Sequence, residues 1–288
     1  MPGLQFIVSE TTQQTMQCLA TFVKQISYII PQNMENTKDL KLAVLIDADN
    51  VPYSNIKGML AEIAKYGTPT FKRIYGDWTK PTLSGWKTVL LESAISPVQQ
   101  YAYTSGKNAT DAALIIDAMD ILYTGSVDGF CIISSDSDFT RLATRLREAG
   151  KVVFGMGEKK TPKSFIAACN KFIYIEILQR ETPTAAEEIA APVKAAGKSK
   201  KKEVKKADDE LTLLRKLITG SISDLAEEDG WVFLGVLGNL ILKKQPDFDA
   251  RNYGHKKLLD LIKTIPGIEI DERASGKNNI SHFYVRNK

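Results

Sequence analysis

Histidine and cysteine are scarce in this chain. Two histidines, His255 and His282, and three cysteines, Cys18, Cys131 and Cys169, are all that 288 residues contain. Neither histidine has a cysteine or histidine neighbour at zinc-binding spacing, which argues against a structural zinc and against a histidine-based centre. The cysteines are odd in number and far apart, and Cys131 and Cys169 sit in apolar runs. They are expected to be buried free thiols in a reducing compartment, with a cytoplasmic location. No apolar run reaches the roughly 18 residues of a membrane span, so none is expected. Residues 14–30 are mildly amphipathic but lack a charged leader followed by a continuous apolar core. A packed or frayed leading helix is expected there rather than a signal peptide.

A net positive surface is also lacking over most of the chain. Residues 1–191 carry 19 basic and 20 acidic side chains, and residues 207–288 carry 12 and 13. The excess of +4 comes from residues 192–206, where seven lysines face Glu203 alone. Hydrophobic content of 43% and charged content of 25% are those of an ordinary globular protein. The length allows one α/β domain and a smaller companion.

Taken in order, the apolar run Lys41–Ile46 has the composition of a strand buried on both faces. It stops at Asp47, Asp49 and Asn50, and Ile56, Met59, Leu60 and Ile63 then recur at helical spacing up to Gly67. Further strands are predicted at Thr70–Tyr75, Pro97–Tyr103, Phe130–Ile133, Lys151–Phe154 and Phe172–Ile177, with helices between them. Strands alternating with helices imply a parallel sheet covered on both sides. Residues 180–207, rich in Ala, Pro, Glu and Lys without apolar period, are predicted to be a flexible linker. Beyond it, helices around Leu214, Val232–Leu242 and Asn252–Ile265 precede a hairpin of Ile268–Ile270 and Phe283–Val285. That order describes a small winged-helix-like α+β module. The expected organisation is an N-terminal extension at 1–39, an α/β domain at 40–179, the linker at 180–207 and the module at 208–288.

Three separated places supply carboxylates: Asp47 and Asp49, Asp111, and Asp136 with Asp138. The first and third follow apolar strands and so meet at the carboxyl edge of the sheet, where open α/β sheets bind ligands. At about 100° per residue, Ile115, Ala118 and Leu122 lie within about 40° of Asp111, so it points toward the sheet. A buried carboxylate is costly unless paired with a cation. Hard divalent ions such as magnesium take carboxylate oxygens and can polarise a phosphoryl oxygen. Plainer roles compete: Asp138 as a helix cap, Asp111 as a first-turn acid, and Asp49 and Asp77 as turn residues.

The stretches Ile46–Asn50, Lys107–Asp111 and Ser134–Phe139 resemble the NYN domain, the LabA-like branch of the PIN-like nucleases, over about residues 40–178. The resemblance implies a Mg²⁺- or Mn²⁺-dependent ribonuclease. It places Asp47, Asp111 and Asp136 as the principal acids, Asp138 as the fourth, and Asn50, Asp49 and Ser135 in support. Lys107 stands where a family basic residue precedes the helix acid, and Ser134 where many relatives have glycine. The stretch Phe248–Ile262 resembles the OST-HTH module, also called LOTUS, over about residues 208–288. In that family the module associates with RNA or with RNA-handling proteins. Lys243, Lys244, Arg251, Lys256 and Lys257 are candidates for phosphate contact, together with Lys277 and the linker lysines.

The leading expectation is a metal-dependent endoribonuclease acting on single-stranded RNA. A catalytically inactive RNA- or protein-binding regulator is the alternative from a different class. A haloacid-dehalogenase-type phosphatase is a third, because Asp47-Ala48-Asp49 followed by Val51 is similar to its nucleophile–acid pair.

Overall fold

Alternate residues of one central strand feed two separate cores. In the computed structural model of the chain, β1 (Lys41–Asp47) sends Leu42, Val44 and Ile46 to one face and Ala43 and Leu45 to the other. All five side chains are fully buried, which is why the run is apolar throughout instead of alternating. The structure describes residues 39–101, 108–179, 200–226, 228–274 and 281–288. The extension expected at 1–39 and the leading helix expected at 14–30 lie outside them except for Asp39, as does Cys18.

Six parallel strands form one sheet in the order β3-β2-β1-β4-β5-β6. They are β1, β2 (Thr68–Gly76), β3 (Ser96–Gln99), β4 (Gly129–Ile133), β5 (Val152–Gly157) and β6 (Lys171–Tyr174). Helices α1 (Ile56–Ile63) and α2 (Trp86–Ser93) cover the face of Val44 and Ile46, through Met59, Ile63, Trp86 and Leu90. Helices α3 (Ala109–Thr124), α4 (Thr140–Glu148) and α5 (Lys163–Ala168) cover the other, through Leu114, Ala118, Leu146 and Phe165. Each such side chain taken fully out of water contributes about 1.5–3 kcal/mol. Cys131 and Cys169 are buried free thiols, and burial pushes both well above the ordinary thiol range.

One strand ends earlier than its sequence suggests. The alternation of Phe172 to Ile177 predicts a single strand, but β6 stops at Tyr174 and Ile175–Gln179 forms helix α6. Tyr174 pairs with Gly157, the last residue of β5, so no ladder partner remains beyond it. Helical spacing instead buries Ile175 and Leu178 together.

The C-terminal domain is built on α7 (Lys200–Leu225), α8 (Leu234–Lys244) and α9 (Leu258–Lys263). A three-stranded antiparallel sheet of β7 (Val232–Phe233), β9 (Ser281–Asn287) and β8 (Ile268–Ala274) completes it. Its core holds Leu214, Ile218, Leu237, Ile241, Leu261 and Val285. The backbone is helical from Lys200, eight residues inside the expected linker, because Lys, Glu and Ala all favour helix. The remainder of that linker lies outside the described residues.

The two domains meet. The Phe172 N–H on the edge strand β6 donates to the Pro246 carbonyl at 2.8 Å, and Tyr174 Oη donates to Asp247 at 2.7 Å. Arg251 reaches across to Glu62 at the end of α1 with two nitrogens, at 3.0 and 2.7 Å, and also holds Asp249 at 2.8 Å. The Glu62 side chain is only 2% exposed and that of Arg251 15%. Despite its burial, Glu62 is held down to about 2 by Arg251 and Lys65. Arg251 was expected on a phosphate-facing patch, but this pairing commits its guanidinium to two carboxylates.

Arg251→Met strands two carboxylates at the seam and is expected to destabilise the chain by about 3 kcal/mol, read by urea unfolding. Glu62 is depressed relative to its ordinary 4.5, so its contribution is complete above pH 4.5 and disappears as the pH falls toward about 2. The gap between wild type and variant should close over that same window. A gap that does not depend on pH there contradicts the account.

Candidate active site

Strands β1 and β4 are neighbours, with Ile46 opposite Ile133, yet the chain leaves them in opposite directions. From β1 the sheet runs to β2 and β3 on one side, and β4 leads to β5 and β6 on the other. Such a switch point opens a crevice at the carboxyl ends of the two strands. The residues occupying it are Asp47 at the end of β1 and Ser134, Ser135 and Asp136 just past β4.

Asp47 anchors this junction. It is 1% exposed, and Asn50 Nδ2 and Ser134 Oγ donate to its Oδ2 at 2.7 and 2.8 Å. The Asp49 N–H donates to Oδ1 at 3.2 Å. Burial pushes the carboxyl above its ordinary range, and these three donors oppose that shift. Ser134 Oγ also accepts from the Asp136 N–H at 3.0 Å, so one serine ties the two strand ends together. Ser135 is turned the other way, accepting from the Glu158 N–H at 2.8 Å and linking β4 to the end of β5. Gly157 is required beside it: a Cβ there would stand 2.6 Å from the Ser134 carbonyl.

Among the described residues, carboxylate oxygens of Asp111, Asp136 and Asp138 converge to within 4.8 Å of one another. Asp111 comes from the first turn of α3, whose buried stripe is Thr110, Leu114, Ala118 and Ile121. Leu122 is buried with them and Ile115 packs against the same core, so the expected stripe of Ile115, Ala118 and Leu122 faces the sheet, with Asp111 half-buried at its border. Asp136 caps the short turn Ser137–Phe139, its Oδ1 accepting from the Asp138 N–H at 2.9 Å. The capping role expected of Asp138 therefore belongs to Asp136, which leaves Asp138 free to face the cluster. Asn108, just before α3, donates its side-chain amide to Asp138.

Crowding shows in the charge state. The Asp111 carboxyl is pushed up to about 6, first by burial and then by the charges of Asp47, Asp136 and Asp138. Three uncompensated carboxylates are the donor set that a hard divalent cation takes. The residues therefore fit a hard divalent cation. Asp47, expected among the principal ligands, is not part of this convergence, and both of its oxygens accept hydrogen bonds. The same burial and hydrogen bonding leave it without the open approach that the phosphatase reading needs of a nucleophile.

Asp49 is exposed and lies 3.5 Å from Lys80. Asp77 is a turn residue, accepting from the Thr79 N–H and hydroxyl at 3.2 and 2.6 Å. A groove of about 380 Å³ runs past Asp49 and Asn50, with Tyr53, Trp86, Glu158 and Lys160 also on its walls. Lys107 and Lys277 lie outside the described residues. Lys243, Lys256 and Lys257 are exposed on the C-terminal domain, and Lys244 pairs with Asp224. Sequence reasoning missed Asn108 and Lys80. Asn108 lies inside a stretch already singled out, whereas Lys80 gave no signal.

The family model of the NYN domain matches residues 41–176, and that of the OST-HTH/LOTUS domain matches residues 205–280. No curated protein matches the chain. A solved protein of unknown function from Vibrio parahaemolyticus is 20% identical, covering 49% of this chain and 96% of its own, with a TM-score of 0.42. An uncharacterized protein from Nitrosomonas europaea is 28% identical over 38% of this chain and 90% of its own, with a TM-score of 0.24. A protein from Chromobacterium violaceum is 30% identical over 26% of this chain and 78% of its own, with a TM-score of 0.22.

Repulsion at the cluster makes a stability prediction. Asp111 is raised from 3.8 to about 6, so the folded chain loses stability as the pH rises through that interval and carries the full penalty above it. Asp111→Asn should therefore raise the melting temperature of the metal-free protein near pH 7.5. The gain should vanish near pH 4, where the carboxyl is protonated in the fold. A variant that melts lower than wild type at pH 7.5 contradicts the repulsion.

Proposed function

We propose that this chain, an NYN domain joined to an OST-HTH/LOTUS domain, is a divalent-metal-dependent endoribonuclease that cuts single-stranded RNA. The observation that carries the reading is the convergence of Asp111, Asp136 and Asp138 at the β1/β4 switch point. A bound Mg²⁺ or Mn²⁺ supplies Lewis acidity toward a phosphodiester oxygen and activates water.

The remaining roles belong to the chain itself. Asp111, Asp136 and Asp138 would hold the cation, one acid from the first turn of α3 and two from the turn after β4. Asn108 orients Asp138 through its amide. Asp47 keeps the two strand ends in register through Asn50 and Ser134, and adds negative charge without giving up its own hydrogen bonds. Lys80 and Lys160 stand near the groove beside Asp49, where they offset repulsion between the acids and an incoming phosphate. The exposed ring of Tyr53 on the same groove is suited to stacking against a flanking base. The C-terminal domain supplies RNA affinity, with Lys243, Lys256 and Lys257 free for phosphates. The same domain can instead hold a protein partner, and an RNA- or protein-binding regulator with an inactive nuclease-like domain is the alternative. Among the described residues no helix is long and apolar enough to cross a membrane.

The test is cleavage of a pool of single-stranded RNAs with Mg²⁺, Mn²⁺ or chelator. Wild type should cut only with metal, and Asp136→Asn should lose that activity without melting lower than wild type. Asn108→Ala, which removes only the orienting amide, should lower the rate about 10- to 100-fold. Undiminished cutting by Asp136→Asn would sink the nuclease assignment, and metal-independent RNA binding without product would favour the inactive regulator.

A further inference from the structure

The outer face of the small antiparallel sheet is crowded with rings and guanidinium groups that its core does not use. Val232 and Val285 point inward and are buried. The alternate residues Phe233, His282, Tyr284, Arg286 and Arg273 therefore occupy the opposite face. The Phe233 ring lies 5.6 Å from His282 and 5.7 Å from Tyr284. The Arg273 guanidinium sits 4.2 Å over Tyr284, and that of Arg286 4.6 Å over Trp231.

The two ends of this array differ. At the Trp231 end each guanidinium is already matched, Arg273 by Asp271 at 2.8 Å and Arg286 by Glu269 at 2.6 Å. Arg286 with Glu269 is a cross-strand pair and Arg273 with Asp271 runs along β8, so this part belongs to the sheet itself. At the Phe233 end the rings border a cleft of about 500 Å³, and Phe233 remains 38% exposed. Gly238 and Asn239 of α8 form part of its wall, Lys256 lies on another side, and Lys171 of the NYN domain contributes to the lining. Asp249, the acid on this cleft, is taken up by Arg251. What is left is an apolar wall of Leu234, Leu242 and Leu258, the rings of Phe233 and His282, and positive charge with an amide beside it. A planar ring attached to a phosphate complements that combination.

We propose that this cleft receives an unpaired base of single-stranded RNA, stacked on Phe233 and His282, with Lys256 meeting the adjoining phosphate. The proposal rests on the RNA reading of the C-terminal domain and is independent of turnover. Recognition then uses the sheet face and the start of α8, distinct from the lysines at the end of α8. Stacking tolerates any base, so little sequence preference is expected from this contact.

The experiment uses the full chain in chelator, where no cutting is expected, and a fluorescein-labelled single-stranded RNA of about 12 nucleotides, near the length a stacking site covers. Fluorescence anisotropy should show Phe233→Leu and His282→Ala each weakening binding about 5- to 100-fold. Phe233→Leu keeps apolar bulk on the sheet and removes only the ring face, and unchanged melting curves exclude unfolding as the cause. Lys256→Gln should weaken binding less, with an effect that fades as salt rises. RNA binding that is indifferent to both ring variants overturns the proposal and leaves the cleft to a protein segment. Failure of the wild type to bind RNA at all overturns the RNA reading with it.

Discussion

A carboxylate buried at the end of a strand must be supplied with hydrogen bonds, and the site is organised around meeting that demand for Asp47. Its partners, Asn50 and Ser134, come from the loop after β1 and the end of β4. Satisfying Asp47 therefore also sets the distance between two strand ends. The Ser134 hydroxyl passes the constraint on to the Asp136 backbone, and Asp136 passes it to Asp138 through the capping bond. Each link is an ordinary hydrogen bond contributing about 1 kcal/mol net. Together they hold two acids at the positions where a third, Asp111, arrives from α3. Electrostatics opposes that arrangement, as the raised Asp111 carboxyl shows. A cluster kept together against its own repulsion is more characteristic of a ligand site than of a fold-stabilising feature.

The second constraint acts at the other end of the sheet order. An open six-stranded sheet has two edges, and unpaired edges invite unwanted pairing. The β3 edge is short and carries Pro97, which cannot donate. The β6 edge is covered by the segment from Pro246 to Tyr253, and proline there accepts a hydrogen bond without offering one. The ion pair of Arg251 with Glu62 then locks the cover in place. A buried ion pair contributes less to stability than its geometry suggests, because desolvation offsets attraction. Its value here lies in orientation, since one guanidinium satisfies Glu62 and Asp249 at once and admits few alternative placements.

Much of this was legible in the sequence, and the residues show why the rest was not. The runs Lys41–Ile46 and Phe130–Ile133 announce doubly buried strands, and the acids that end them announce the crevice. Asp111 follows from helical phase: Ala118 and Leu122 of the expected stripe are buried, Ile115 packs against the same core, and Asp111 stands half-buried at its border. Asp47 and Asp136 were expected in equal roles. Only the donor geometry separates the anchored acid from the open one. Arg251 looked like one more cation in a basic stretch, since nothing local shows that its partner lies 189 residues away at Glu62. Pairings at that separation leave no periodicity to read. The Phe172–Ile177 alternation failed for a related reason: a strand needs a neighbour, and β5 ends at Gly157.

Docking changes what a binding module can do for a catalytic domain. A module on a flexible tether raises the local concentration of RNA whatever its orientation. A module seated on β6 presents any one surface in one orientation only, with β6 about 10 Å from β4 at the usual strand spacing. On the proposed reading, RNA engaged at the Phe233 cleft can reach the acids only along paths that leave the seam in the right direction. Segments too short or too structured to follow such a path are bound without being positioned. Affinity and cleavage then become separable properties of one substrate. The residues that link them are those of the seam, Glu62, Asp249 and Arg251, which touch neither the acids nor the stacked rings.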